Sequence, residues 1–170
     1  LLFGSAAVAQ NATPLAPTAP PVLTPAADMP LGSGPHQAIM EMDATLPGKT
    51  IYRPADLAKL GARKLPVVVW GNGACANAGN SFRAFLSEIA SYGYFIIALG
   101  PIDTKLPLLE QPRPPMPPRT APAGPRVLPP PATHSQQLIE AIDWAAGPPA
   151  QAGSYRGKLD IERIAVMGQS

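Results

Sequence analysis

Three stretches of this chain, LPVVVW at 65–70, YFIIALG at 94–100 and IAVMG at 164–168, run apolar almost without interruption. A strand with one face in water alternates apolar and polar side chains, so an unbroken β-branched run belongs to a strand covered on both faces. Such strands need structure on either side, and the stretches between them carry the helical period. NSFRAFLSEIASYG sets Phe82, Phe85, Leu86, Ile89 and Tyr92 at i, i+3, i+4, i+7 and i+10, with Asn80 or Ser81 as cap and Gly93 as terminator. THSQQLIEAIDWAAGPP opens on a capping box from Thr133 to Gln136, turns Leu138, Ala141, Ile142 and Ala145 inward, and stops at Gly147 and Pro148. Strand, helix, strand in that order predicts right-handed crossovers in a buried, mostly parallel sheet, and therefore a three-layer α/β protein. HQAIMEMD and KTIYRP, ahead of the first run, read as two further short strands, and no internal repeat is visible.

Proline marks what lies outside this core. Of 24 prolines in 170 residues, seven fall in 10–35 and twelve in 101–133, so both segments are expected to be irregular, extended and exposed. The first reads as a linker. Ahead of it, LLFGSAAVA closes on the A-x-A pattern of Ala7-Val8-Ala9, the tail of a secretory signal with Gln10 as the mature start. The domain itself is then 36–170, with a proline-rich insertion at about 101–133. Asn11-Ala12-Thr13 forms a sequon, but it stands too close to the cleavage site to carry weight. A net charge of +2 with 14% charged residues gives no electrostatic footprint for nucleic acid, and no segment approaches the ~20 apolar residues of a membrane span. The apolar run ending at Ser170 belongs inside a core, so the chain reads as the amino-terminal part of a longer protein.

In sheets of this kind chemistry gathers past the carboxyl ends of the strands. After IAVM comes Gly168-Gln169-Ser170, the first three positions of the G-x-S-x-G elbow that lifts a nucleophilic serine on a tight strand-to-helix turn. After LPVVVW comes Gly71-Asn72-Gly73-Ala74, the loop in which a second oxyanion-binding N–H stands in acyl-transfer sites. Each half is common alone. In this order, each behind its own buried strand, they point to a serine ester hydrolase.

LPVVVWGNGAC, IASYGYFIIALG, SQQLIEAIDWAA and GKLDIERIAVMGQS together resemble the α/β-hydrolase fold, in the branch of exported cutinase-like, polyester-hydrolysing serine esterases and the related dienelactone hydrolases. The resemblance covers about residues 36–170 apart from the insertion. It implies Ser170 as nucleophile, Gly73 as part of the oxyanion loop and Ala74 as backbone donor to the oxyanion hole. Members usually carry His-Gly or Pro-Gly where this chain has Asn72-Gly73, which leaves the donor between Asn72 and Ala74. It further implies a small-molecule or polymeric ester as substrate, no metal or organic cofactor, and an acid and a histidine base that follow the serine. By that order His36 and His134 are structural or surface residues, and Asp160 with Arg163 shapes the turn into the last strand. Cys75, the one thiol, is expected in an exported protein to pair with a cysteine beyond residue 170.

Two readings from other classes stay open. Gly71-Asn72-Gly73-Ala74-Cys75-Ala76 fits the G-x-G-x-x-A dinucleotide fingerprint, although the next strand ends in Leu99-Gly100-Pro101 instead of the acid that would bind the ribose. The second is a non-catalytic domain whose PxxP spacings dock in an aromatic groove of a partner.

Overall fold

In the computed structural model, residues 32–106 and 130–169 are described. The expected signal remnant at 1–9, most of the linker, most of the proline-rich insertion and Ser170 lie outside them. Five strands and three helices follow in chain order: β1 (Ala38–Glu41), β2 (Lys49–Pro54), β3 (Leu65–Gly71), α1 (Arg83–Ser91), β4 (Phe95–Leu99), α2 (Gln136–Ala146), α3 (Pro148–Ala152) and β5 (Leu159–Gly168). The strands form one sheet in the order β1-β2-β4-β3-β5.

The runs of β3 and β4 are buried on both faces, as their sequence requires, whereas the third run, expected to be covered as well, is exposed from Ala165 to Gly168 in β5, and only Ile164 of it packs against the described core. Leu65, Val67, Val69, Phe95 and Ile97 turn to one face, where Ala141, Trp144 and Ala145 of α2 and Ala150 of α3 close over them. Val68, Trp70, Ile96 and Ala98 turn to the other, beneath Leu86 and Ala90 of α1. All five residues of β4 are buried. Phe95 anchors the α2 side, with the Trp144 ring stacked 6.4 Å away and the Tyr155 ring edge-on at 4.9 Å. A second buried group joins the sheet margin to this face: Arg53 Nε and Nη2 donate to the two carboxylate oxygens of Glu41 at 2.5 and 3.0 Å, and Tyr155 Oη donates to Oε1 at 2.8 Å. With the carboxylate bonded on both oxygens, the ion pair meets the condition under which burial of charge is tolerated.

The sheet is mixed, where a mostly parallel one was expected. β3 runs parallel to β4 and β5, whereas β2 is antiparallel to β4 and β1 antiparallel to β2. The connections explain it. A parallel neighbour needs a crossover of a dozen or more residues, and only residues 42–48 join β1 to β2, so the chain has room for a hairpin alone.

The helix between β3 and β4 presents a different face from the one its aromatics suggest. Its buried stripe is Arg83, Leu86, Ser87, Ala90 and Ser91, while Phe85 and Tyr92 are 46% and 52% exposed. Small side chains let the helix lie close on the sheet, and Phe82 and Ile89 only flank the contact. Phe82 stands at the N-cap without a side-chain cap. Asn80 is occupied elsewhere, and Gly93, at φ +92°, ends the helix as expected. In α2 the expected capping box does not form: the N-cap is Ser135, two residues after Thr133 and without a side-chain cap bond, and the His134 N–H donates to Gln137 Oε1 at 2.8 Å. Trp144 joins Ala141 and Ala145 in the buried stripe, and Leu138 and Ile142 pack beside it.

β5 begins at Leu159, earlier than its apolar core suggests, and pairs with β3 only. Its register shifts between Pro66 and Val67, which pair with Asp160 and Ile164. The Arg163 guanidinium donates to Asp160 Oδ2 at 2.6 Å across this irregularity, so the pair expected at the turn into the last strand lies within the strand itself. Past it Val166 and Met167 are 54% and 39% exposed. No helix among the described residues is long and apolar enough to cross a membrane. With one cysteine, the chain forms no disulfide within itself.

The rotated face of α1 predicts that Leu86→Ala costs about 2–5 kcal/mol in urea unfolding. Phe85→Ala should cost about 1 kcal/mol or less, and a reversed order would contradict the packing described. The bond from Arg163 holds the Asp160 carboxyl below its ordinary value of 3.8. A carboxylate lowered on folding stabilises above its unfolded pKa and loses that contribution as pH falls through the folded one. Asp160→Asn should therefore lower the Tm slightly at neutral pH and leave it unchanged near about pH 2.

Candidate active site

β3, β4 and β5 are parallel, so their carboxyl ends emerge together, with Trp70 paired to Ala98 on one side and Gly71 to Gly168 on the other. The loops that follow are locked to one another. Gly79 N–H donates to the Pro101 carbonyl at 2.9 Å, and Asn80 and Asp103 exchange two bonds of 2.9 Å, the Asp103 N–H to Oδ1 and Nδ2 to the Asp103 carbonyl. From β2, Thr50 Oγ1 donates to the Gly100 carbonyl at 2.9 Å and Tyr52 Oη to the Gly79 carbonyl at 3.0 Å. Burial raises the Tyr52 hydroxyl far above the usual tyrosine range, so it stays a donor. Gly100 has φ +96°, and a Cβ there would stand 2.6 Å from the carbonyl carbon of Asn77 and closer still to the Ala78 nitrogen. Glycine alone allows this crossing of the two loops.

The centre of the arrangement is Asn72, which is 7% exposed. Its Oδ1 accepts the Trp70 Nε1–H at 3.0 Å. Its Nδ2 donates to the carbonyls of Leu99, Ala78 and Ala76 at 2.7, 3.0 and 3.1 Å. One amide thus joins the ends of β3 and β4 to the loop between β3 and α1.

Within that loop, Gly73–Cys75 makes a single 3₁₀ turn closed by the Ala76 N–H on the Gly73 carbonyl at 3.1 Å. Ala74 (φ +53°, ψ +26°) and Cys75 (φ +51°) are left-handed, which costs about 1–2 kcal/mol for each residue with a Cβ. Strain of this kind persists only where the surroundings hold it, and it concentrates at functional sites. Both residues are exposed. The bonds that fix the turn use the Ala76 N–H and the carbonyls of Gly73, Ala76 and Ala78, leaving the N–H groups of Ala74 and Cys75 outside the set.

On the other side of the turn lies the end of β5. Gln169 N–H donates to the Gly71 carbonyl at 3.3 Å, and the Gln169 side-chain amide covers Gly73 so closely that a Cβ there would overlap Oε1 and stand 3.1 Å from the Gln169 carbonyl. Gly73, one of the residues expected in the oxyanion loop, is thus beside Gln169, the residue before Ser170, and Ala74 follows it in the same turn; Ser170 itself is outside the described residues. His36 is half-buried at the start of β1, where it lines a shallow cleft of about 110 Å³ with Pro35, Gln37, Ala55, Asp56 and Lys59. His134 is exposed ahead of α2. The Cys75 thiol is free and exposed. Among the described residues no group of three His, Cys, Asp or Glu side chains is arranged to hold a metal ion.

Sequence reasoning passed over Asn72 as an anchor and Gln169 as a wall. For Asn72 a signal was present: an asparagine directly after a doubly buried strand, where its amide meets backbone groups that the ladder no longer pairs. Gln169 carried none, because its contact with Gly73 exists only through the alignment of two distant strands. A comparison with family models and with the curated proteins finds no match for the chain.

The crossing of the loops predicts unequal glycine costs. Gly48 also has positive φ (+70°) but has nothing within 4 Å of an added Cβ, so Gly48→Ala should cost about 1–2 kcal/mol. Gly100→Ala adds a backbone collision to the same strain and should exceed about 3 kcal/mol by chemical denaturation. Equal costs would contradict the close approach.

Proposed function

We propose that this chain is the amino-terminal part of an exported serine ester hydrolase with a three-layer α/β-hydrolase-type architecture. The observation that supports the reading is that the left-handed turn Gly73–Cys75, after β3, lies directly against Gln169 at the end of β5. An acyl-transfer site needs a nucleophile on one turn and a preorganised N–H on its neighbour, within reach of the same carbonyl oxygen.

In this reading the Ser170 hydroxyl oxygen attacks the ester carbonyl carbon as a histidine, following in the chain and oriented by an acid, takes its proton. The carbonyl oxygen becomes an oxyanion held by the Ala74 N–H and by the N–H of the residue after Ser170. The tetrahedral intermediate collapses, the alcohol leaves with the proton from the histidine, and Ser170 carries the acyl group. Water, deprotonated by the same histidine, then attacks the acyl carbonyl and releases the acid. The substrate is a small or polymeric carboxylic ester. Export rests on the Ala7-Val8-Ala9 pattern, and a disulfide from Cys75 to a later cysteine belongs to the same reading.

The dinucleotide alternative has less support. Its pyrophosphate needs a helix N-terminus at the glycine turn, whereas α1 starts only at Arg83, and β4 ends in Leu99 without an acid. The proline segment of the partner-binding alternative falls mostly on residues outside those described.

In the full-length protein, a fluorophosphonate probe should label Ser170. Ser170→Ala should lower p-nitrophenyl ester turnover by roughly 10³- to 10⁶-fold without changing the Tm by more than a few degrees. Labelling of another serine, or turnover retained in the variant, would overturn the assignment.

A further inference from the structure

The chemistry of the position after Gly71 is more demanding than its place in a loop requires. A single side chain there must accept one hydrogen bond, from Trp70 Nε1, and donate to carbonyls of three separate residues, Leu99, Ala76 and Ala78. Only a carboxamide supplies an acceptor and two N–H protons on one short, neutral group. A carboxylate of the same shape would bring a lone pair against each of those carbonyls, and an aliphatic residue would remove the acceptor of the buried Trp70 N–H and the donor to the three carbonyls.

The segments joined by this amide enclose the strained turn. Asn72 precedes Gly73–Cys75, Ala76 follows it, and the two are tied across its base at 3.1 Å while Leu99 fixes the same amide to the end of β4 at 2.7 Å. The left-handed conformations of Ala74 and Cys75 are therefore set by a brace whose other attachments are the buried sheet itself. Trp70, 4% exposed and packed against Phe82 and Phe85 at 5.3 and 5.5 Å, fixes the orientation of the amide from below.

We propose that Asn72 is a positioning residue for the oxyanion-binding turn: its side-chain amide braces Gly73–Cys75 so that the Ala74 N–H is held toward the developing oxyanion. The proposal rests on the esterase reading above. Asn72 does not touch the reacting atoms. A donor that acts when charge develops on the carbonyl oxygen contributes to the transition state and little to ground-state binding, so loosening it lowers kcat and leaves KM nearly unchanged.

The test uses the full-length protein with its active sites titrated by fluorophosphonate, so that turnover is counted per functional serine. Asn72→Asp should lower kcat per titrated site on a p-nitrophenyl ester by about 10²-fold, with KM within about twofold. It should weaken inhibition by an arylboronic acid, which forms a tetrahedral adduct with the serine, by a similar factor. A purely structural role would lower the Tm and the titratable fraction while kcat per titrated site and boronate affinity stay within about threefold of wild type, and that result overturns the proposal. Should Asn72→Asp not fold, Trp70→Phe removes the bond to Oδ1 while keeping an aromatic ring beside Phe82 and Phe85. It should lower kcat and boronate affinity together by about three- to tenfold, and no change in either overturns the proposal. If no serine titrates in the wild-type protein, the esterase reading fails and this proposal with it. If Ser170 titrates and the variants keep their kcat, the proposal fails alone.

Discussion

Burial of β3 and β4 on both faces decides where this molecule can carry polar chemistry. All of β4 is buried, and β3 is buried from Val67 to Trp70, so neither strand has a face on which a functional polar side chain could stand. Polar and conformationally demanding residues begin where the strands stop: Asn72 after β3, Gly100 after β4, Gln169 after β5. Trp70 is the hinge of this change. Its ring is the last apolar element of the α1-side core, and its indole N–H, buried with it, must find an acceptor. Asn72 Oδ1 is that acceptor, and once the amide is held there its Nδ2 meets the carbonyls that order the loop. The bond from Trp70 to Asn72 is therefore one link by which the core reaches the candidate site.

Much of the arrangement was legible because it depends on local rules. The runs 65–70 and 94–100 are strands, and Gly93 ends the helix between them at positive φ. The nearness of the loop after β3 to the end of β5 follows from their parallel pairing, since paired strands that run the same way end together. What composition and period could not give was set by long-range contact. The amphipathic pattern of α1 counted Phe85 and Tyr92 as core because they are large and apolar, but the sheet selects for close approach, and Ser87, Ala90 and Ser91 approach more closely than aromatic rings do. The cost of that choice is visible in Ser87 Oγ, buried without a partner.

The two antiparallel strands teach a related lesson. β1 and β2 are short and mostly buried, as parallel strands also are, so side-chain pattern does not give their direction. Connection length does, because neither the segment 42–48 nor the segment 55–64 is long enough to carry a helix and return to the same edge of the sheet. Buried hydroxyls on β2 then serve the site from an unexpected side: Thr50 and Tyr52 bond the carbonyls of Gly100 and Gly79 and hold both loops from beneath. A strand that the sequence presents as framework is thus part of the support of the candidate active site.

Register is the remaining requirement, and β5 shows how it is met. The first part of β5 slips against β3, so that Ile161, Glu162 and Arg163 fall between the pairings of Asp160 and Ile164, and the charges there blunt an exposed sheet edge. From Ile164 onward the ladder is regular to Gly168, although Val166 and Met167 are largely uncovered and contribute little burial to hold it. A slip of one residue would exchange the faces of Val166 and Met167 and carry Gln169 away from Gly73. The constraint lies at the end of the strand, where a Cβ on Gly168 would stand 3.0 Å from the Gly71 carbonyl oxygen and the Gln169 N–H bonds that same oxygen. Glycine at 168 lets the backbones meet, the bond from Gln169 fixes where they meet, and Gln169 is thereby brought against Gly73. The placement of Gln169 is therefore set by backbone contact at the strand end, and the exposed side chains of β5 have little part in it.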